Sequence, residues 1–222
     1  WEEFRDIAIK LTKDINGDGR IDQFGFLLPP MIHLLPFVLE NGGKIMNEER
    51  TRYLLDSPEA IEAFKFWYEL KTKYHVSPSE AELGTGNIAF DTGKVAMMLG
   101  SSAGIGHLEK LSKSTGLRFG VQLPPVRKGR RFTRYFADGY VIWSKSKHPE
   151  EAWTFIKFLT GPKGSIIRAR LGLYTPAWKE VATSPVYLIN ETRKKFIEAE
   201  VYGIPTPVYP RSSEVTRIFN YY

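Results

Sequence analysis

The sequence predicts an α/β fold in which a mostly parallel sheet is flanked by helices. Short apolar strands alternate along the chain with amphipathic helices, which is the pattern of a parallel sheet. Of the 222 residues, 42% are hydrophobic and 14% are aromatic, so the chain can bury a core of its own. No internal repeat of about 20–50 residues is visible, which argues against a solenoid or a propeller.

The first elements are predicted within residues 2–46. Apolar residues recur at helical spacing over residues 2–13, which predicts a helix. The charge-free stretch 24–39 contains three prolines and is shorter than the roughly 20 apolar residues that span a membrane. We predict that it holds a buried strand, a turn and a short apolar helix. A turn at 41–43 and a short strand at 44–46 follow.

The middle of the chain carries a clear helix start at Ser57, with Pro58 at the first helical position. This helix is predicted to run to about Tyr74. An apolar strand at 95–99 ends at Gly100, after which a short helix begins. Further strands are predicted at 119–121 and 140–143, with a hairpin-like turn at 128–130 between them.

Two helices are predicted after the last of these strands. The first starts at Pro149, carries two acids in its first turn, where the helix dipole favours them, and ends at Gly161. The second runs over about 163–171, with Gly172 past its end as a C-cap.

The segment 14–25 resembles a calcium-binding loop. Its hard oxygen ligands stand at the spacing D-x-N-x-D-G-x-x-D, with a backbone carbonyl at the seventh position. Gly25 replaces the glutamate that closes an EF-hand loop, and a strand follows instead of a helix. The alternative is a tight polar turn that binds no metal. The candidate ligands of a structural Ca²⁺ are Asp14, Asn16, Asp18, Arg20 and Asp22.

Catalytic motifs are absent from the sequence. Zero cysteines exclude disulfide scaffolds, thiol nucleophiles and cysteine-ligated zinc. The four histidines lack zinc-ligand spacing, and neither a G-x-S-x-G elbow nor a phosphate-binding loop occurs. The sequence therefore predicts a protein that is not an enzyme.

The formal net charge of +6 is a modest excess of basic residues. It is concentrated in a basic run, which could contact phosphates or form the solvated tip of a hairpin. No stacking aromatics interleave the charges, so we favour the hairpin tip and predict no nucleic-acid partner. The basic run consists of Arg127, Lys128, Arg130, Arg131 and Arg134.

Five motifs in a fixed order resemble one protein family. They are the helix opening Trp1–Phe4 with the loop and strand after it, 41–45, 56–60, 90–101, and 138–160 with its strand and helix. In this order they are similar to the extracellular solute-binding proteins of ABC importers, in the sugar-binding branch to which maltose-binding protein belongs. Residues 172–176 resemble the return strand of that family.

The resemblance implies a periplasmic-binding-protein-like type II lobe within an incomplete two-lobe architecture. Residues 1–140 and 176–222 would form the second lobe. Residues 141–175 would form the hinge crossing and helices of the first lobe, whose N-terminal part is missing from the sequence. The apolar stripe that includes Phe155 should then lack the sheet on which it packs.

The function that this resemblance implies is solute capture. The protein would bind an extracellular carbohydrate between two lobes by hinge closure and deliver it to permease subunits in the membrane. It would reside in the periplasm or at the cell surface, with a lipid anchor as one option. Two alternatives stay open: a carbohydrate-active enzyme or lectin-like module with a structural calcium, and a basic nucleic-acid-binding fragment.

Candidate ligand residues follow from positions that match the family's binding loops. A sugar site needs aromatic faces for the ring and fixed polar groups for the hydroxyls. The usual aromatics are replaced here before the turn at 41–43 and after the strand at 95–99. The candidates are Ile32, His33, Leu35, Asn41, Ser101, Ser102, Phe136, Asp138, Tyr140 and Tyr174.

Overall fold

The computed structural model describes residues 1–83, 89–205 and 212–221. The strands within these residues are β1 (Thr133–Tyr135) and β2 (Gly203–Pro205), which pair with each other. The helices are α1 (Glu2–Leu11), α2 (Leu35–Glu40), α3 (Pro58–Thr72), α4 (Glu80–Leu83), α5 (Ile105–Thr115), α6 (Pro149–Thr160), α7 (Pro162–Leu171), α8 (Lys179–Ala182), α9 (Glu191–Ala199) and α10 (Ser212–Tyr221). Three 3₁₀-helices complete the set: Met31–Leu34, Ser102–Gly104 and Glu200–Tyr202.

The chain divides into two compact units. Unit 1 comprises Trp1–Leu99, Pro124–Arg134 and Tyr202–Tyr222. Unit 2 comprises Gly100–Leu123 and Tyr135–Val201. The lobes that we predicted, 1–140 with 176–222 and 141–175, concern a longer protein and stay a prediction. Residues 84–88, 206–211 and 222 of the predicted second lobe lie outside the described residues.

Trp67 is the centre of the core of unit 1. It is fully buried on α3, and its ring centroid lies 4.1 Å from that of Phe37 and 5.3 Å from that of Phe4. Trp1 and Phe26 lie at 5.9 and 5.8 Å from the same ring, and Phe66 at 5.7 Å. Together these aromatic side chains bury a large apolar area, which is the main favourable contribution to folding.

The apolar segments 24–27 and 95–98 of unit 1 pair in parallel register, in agreement with the mostly parallel sheet that the sequence predicts. Phe24 bridges Val95 and Leu27 bridges Met98, both in parallel register. Gly25 between them lies so close to α1 that a Cβ here would collide with the carbonyl oxygen of Ala8. Only glycine therefore lets this strand pack against the first helix.

Unit 2 is built from helices around a small apolar cluster of Ala169, Val181 and Tyr187. α6 packs against α7, which follows it directly in the chain. The apolar side of α6 is nevertheless open, and Phe155 is 60% exposed. The expectation that this stripe lacks its sheet is confirmed for Phe155.

The strands predicted at 119–121 and 140–143 are wrong. The structure has no regular element there, and Val141 and Trp143 are 91% and 70% exposed. Neither segment is hydrogen-bonded to a neighbouring strand among the described residues. A strand without a paired neighbour and a covered face is not stable, so apolar composition alone does not form one here.

The helix starts and ends predicted from capping residues are confirmed. The Ser57 side chain accepts a hydrogen bond from the amide of Ala60 at 3.3 Å. Gly172 ends α7 with a φ of +68°, a backbone conformation that glycine adopts without strain. In the described part of the chain, every helix is too short or too polar to cross a lipid bilayer.

Candidate functional site

The candidate residues of unit 1 lie on the 3₁₀-helix Met31–Leu34 and on α2. His33 is exposed, and its Nδ1 lies 2.8 Å from an Nη of Arg134. Because a guanidinium can only donate, we infer that this Nδ1 accepts, which requires a neutral imidazole. Although part of the side chain is exposed, neighbouring groups desolvate its ring, and this desolvation and secondly the charge of Arg134 lower the pKa of His33 and favour the neutral form.

Leu35 and Asn41 of the same segment point into unit 1. Leu35 belongs to the buried core, and Asn41 is fully buried. The amide of Asn41 donates to the carbonyl of Glu59 at 2.8 Å and to the carboxylate of Glu62 at 2.9 Å. A ligand would reach these two residues only after this packing opened, whereas the neighbouring Ile32 is partly exposed.

Glu40 is a buried carboxylate that the sequence analysis did not single out. It accepts hydrogen bonds from the Trp1 indole at 2.8 Å and from the Phe132 amide at 3.0 Å. Burial raises its pKa to about 7, although both hydrogen bonds oppose that shift. Glu40 therefore ties α2 to the start of α1 and to the strand-like segment before β1.

In unit 2, the structure brings Tyr140 and Tyr174 to the same arginine. The guanidinium carbon of Arg168 on α7 lies 5.7 Å from the centroid of the Tyr140 ring and 5.6 Å from that of Tyr174. Both rings remain more than two-fifths exposed. We name Tyr140, Arg168 and Tyr174 the tyrosine–arginine cluster.

Ser102 lies on the 3₁₀-helix at the start of α5, also in unit 2. Its Oγ accepts a hydrogen bond from the amide of Thr175 at 3.3 Å, directly after Tyr174. Ser101, Phe136 and Asp138 are exposed. Sequence reasoning missed Arg168, although its place near the end of a predicted helix, four residues before Gly172, was a usable signal.

The calcium-like loop is exposed, and its side chains bond to its own backbone. Asp14 accepts from the amides of Gly17 and Gly19 at 2.6 and 2.8 Å, and Asp22 accepts from that of Ile15 at 2.7 Å. The oxygen atoms of these carboxylates and carbonyls are the type of ligand that calcium, a hard cation, prefers. Among the described residues, however, no three acidic or histidine side chains lie so that they could hold a metal ion together.

Calcium binding at this loop stays a prediction. If it occurs, millimolar CaCl₂ should raise the melting temperature relative to EDTA, because a ligand of the native state stabilises it by mass action. The variant D14N/D18N should lose that shift, since it removes two of the charged ligands. An equal melting temperature in CaCl₂ and EDTA would show that the loop is a polar turn only.

The basic run is used largely within unit 1. Arg127 pairs with Glu2 and, at 2.9 Å, with Glu62, while Lys128 donates to the carbonyl of Asn41 at 2.9 Å. Arg131 lies over the ring of Tyr202 at 5.2 Å. These contacts do not favour the nucleic-acid alternative, because they engage the cations with the protein itself.

Comparison with known proteins gives a family match and several relatives. The family model described as bacterial extracellular solute-binding protein matches residues 1–194. The maltotriose-binding protein of Pyrococcus abyssi is 28% identical over 205 residues, which are 89% of this chain and 44% of that protein. A putative binding protein of Brucella abortus is 24% identical over 226 residues, 98% of this chain and 53% of its own.

Solved structures show the same fold. The maltose/maltodextrin-binding domain of Bdellovibrio bacteriovorus, bound to maltotriose, superposes with a TM-score of 0.83 at 23% identity. The match covers 100% of this chain and 59% of the Bdellovibrio chain. A substrate-binding protein of Listeria monocytogenes in complex with cycloalternan gives 0.79 at 25% identity, with coverages of 99% and 58%. The chain thus spans about half the length of its relatives, and the predicted type II binding-protein lobe is confirmed.

Proposed function

Because this chain belongs to the bacterial extracellular solute-binding protein family, we propose that it is part of the substrate-binding component of an ABC importer. The proposed solute is a carbohydrate, a sugar or an oligosaccharide. Relatives support this choice, since one is a maltotriose-binding protein and another structure holds maltotriose. The family gives no reason to favour the enzyme, lectin-like or nucleic-acid alternatives.

The tyrosine–arginine cluster is the observation that carries this proposal. Two of the candidate ligand residues, Tyr140 and Tyr174, stand together and leave aromatic faces open to solvent. Such faces bind the C–H surface of a sugar ring, while polar groups beside them bind its hydroxyls. A sugar could use two polar groups of this unit, the guanidinium of Arg168 and the exposed hydroxyl of Ser101.

The proposed mechanism is conformational and involves no chemical step. Ligand binding between two lobes of the whole protein stabilises the closed form by its higher affinity for that form. The closed protein then delivers the solute to permease subunits in the membrane. We place this activity outside the cytoplasm, in the periplasm or at the cell surface, in line with the family's description.

A thermal-shift screen tests the proposed function in the protein as its gene encodes it. A sugar that binds the native state and is present at a concentration of about 100 times its Kd should stabilise the protein by about 2.7 kcal/mol. This stabilisation should raise the melting temperature by several degrees. The panel should include maltotriose, maltotetraose and simple monosaccharides, with amino acids and dipeptides as other solute classes.

Two tyrosine variants provide the matched comparison for this screen. Tyr174→Ala should abolish the shift given by the stabilising sugar, since it removes one face of the cluster. Tyr68→Ala changes an exposed tyrosine on α3 and should keep the shift. A shift with peptides and none with any carbohydrate would reject the carbohydrate assignment.

A further inference from the structure

We propose that Arg168 makes the tyrosine–arginine cluster selective for carbohydrates that carry an anionic group, a carboxylate or a phosphate. This inference rests on the proposed function and names the class of sugar that its site takes. It departs from a site built only for neutral sugars, which needs aromatic faces and hydroxyl partners but no uncompensated cation.

The position of Arg168 supports this role because its partners are rings and not acids. Its guanidinium carbon lies within 6 Å of the ring centroids of Tyr140 and Tyr174, the range of cation–π contacts. Among the described residues, no carboxylate forms an ion pair with it. Within that part of the chain, the positive charge is thus held in place without an acidic partner.

The chemistry of a stacked guanidinium favours an anion at its edge. Contacts with aromatic faces leave the N–H donors, which lie in the guanidinium plane, available at the rim. That fork matches the two oxygens of a carboxylate or phosphate, and such charge-assisted pairs are stronger than hydrogen bonds to neutral hydroxyls. Partial burial of Arg168 beside the rings strengthens the pair further, because water screens it less.

A second arginine lies beside a candidate ligand residue in unit 1. Arg134 is partly buried and contacts the exposed His33 at 2.8 Å. Burial lowers the pKa of Arg134, which shows that its charge is partly removed from water. Each unit therefore places a basic group next to a residue that the sequence had assigned to the ligand.

Isothermal titration of the protein as its gene encodes it, with three probes, tests the inference. The probes are trigalacturonate for a carboxylate, glucose 1-phosphate for a phosphate, and maltotriose as a neutral sugar. One of the anionic probes should bind more tightly than maltotriose, and its affinity should fall as NaCl is raised. The probe that binds distinguishes the carboxylate from the phosphate.

Two variants that each remove one positive charge from α7 distinguish a direct contact of Arg168 with the ligand from a general effect of net charge. Arg168→Gln should weaken binding of the preferred anionic probe by about tenfold or more, the expected loss of a charge-assisted pair. Arg170→Gln, at an exposed position two residues along α7, should change it by less than about twofold. Arg168→Lys keeps the charge without the planar fork and should give an intermediate loss.

The ratio of affinities decides between selectivity and structural damage. A merely structural role of Arg168 would weaken the binding of anionic and neutral probes by the same factor, whereas the inference expects the anionic probe to lose clearly more affinity than maltotriose, which loses only a hydrogen-bond partner for a hydroxyl. Tightest binding of maltotriose, or equal effects of the Arg168 and Arg170 variants, would overturn the inference and leave the proposed function intact. Absence of binding by every carbohydrate tested would overturn both.

Discussion

Replacing Trp67 with alanine should lower the free energy of unfolding by about 3–5 kcal/mol, the usual cost of deleting a buried tryptophan side chain. The reason is the density of aromatic contacts around it. Its ring is fully buried and lies within 6 Å of the ring centroids of Phe4, Phe26 and Phe37. Because α1, α2 and α3 meet at this ring, the cavity cannot close without moving helices.

Urea denaturation of Trp67→Ala and of the neighbouring Tyr68→Ala provides the measurement. Tyr68 is 49% exposed on the same helix, so its truncation should cost less than about 1 kcal/mol. A third variant, Trp67→Phe, keeps much of the ring and removes an indole N–H that is buried without an acceptor among the described residues. It should cost clearly less than the alanine variant, since an unsatisfied buried donor is itself unfavourable.

Equal losses for Trp67→Ala and Tyr68→Ala would contradict the central role of Trp67. Marginal stabilities of about 5–15 kcal/mol are usual for domains, so the expected loss is a large fraction of the total. Reduced solubility of the variant is therefore an expected accompaniment. The ranking of the three variants is the decisive result.

Replacing Arg193 with methionine should destabilise unit 2 by about 3–5 kcal/mol, because it breaks a buried ion pair and leaves the carboxylate of Glu109 without its cation. Arg193 on α9 is 1% exposed and binds both carboxylate oxygens of Glu109 on α5 at 2.9 and 2.6 Å. Its remaining Nη donates to the carbonyl of Ala169 on α7 at 2.8 Å. A single side chain thus links three helices.

The pKa of Glu109 gives this pair a characteristic pH dependence. Burial opposes its ionisation, but hydrogen bonds from Arg193 and Asn190 outweigh burial and lower its pKa below the ordinary value of 4.5. A lowered folded-state pKa means that the unfolded chain binds more protons, so stability falls as the pH drops below 4.5. Arg193→Met should remove that part of the acid sensitivity.

A double-mutant cycle with Glu109→Leu separates the pair from its surroundings. Arg193→Met alone should be the most destabilised variant, and Arg193→Met with Glu109→Leu should recover much of the loss, since no charge is left buried. Lys194→Met is the matched control, because its 2.6 Å pair with Glu191 is exposed on the same helix and should contribute far less to stability. Additive effects of the two buried substitutions would disprove the coupling.

Local patterns predicted much of the fold because they depend on neighbours in the sequence. Ser57 followed by Pro58 located the start of α3, and Gly172 located the end of α7. The parallel bridges between 24–27 and 95–98 agree with the predicted parallel sheet, although the sequence did not indicate which segments would pair. The same reasoning failed at 140–143, where the apolar residues are exposed and no neighbouring strand supports them.

The candidate site was predicted less completely, because burial is not encoded locally. Asn41 matched a family position, yet its amide is consumed by Glu59 and Glu62 in the interior of unit 1. Tyr140 and Tyr174 were predicted as separate candidates, because they lie 34 positions apart and no sequence pattern joins them. Arg168 was not named at all, since a single arginine on a helix is usually a solvated charge.

The sequence by itself determined the family of this protein, the class of its fold and the approximate limits of α1, α3, α6 and α7. These properties arise from hydrophobic periodicity, capping residues and motif order, which act over a few positions or simply follow the chain. The tertiary structure alone decided that Arg168 contacts the rings of two tyrosines and that Arg193 and Glu109 meet in a buried pair. Such contacts join residues distant in the chain, and only the packing of whole elements brings them together.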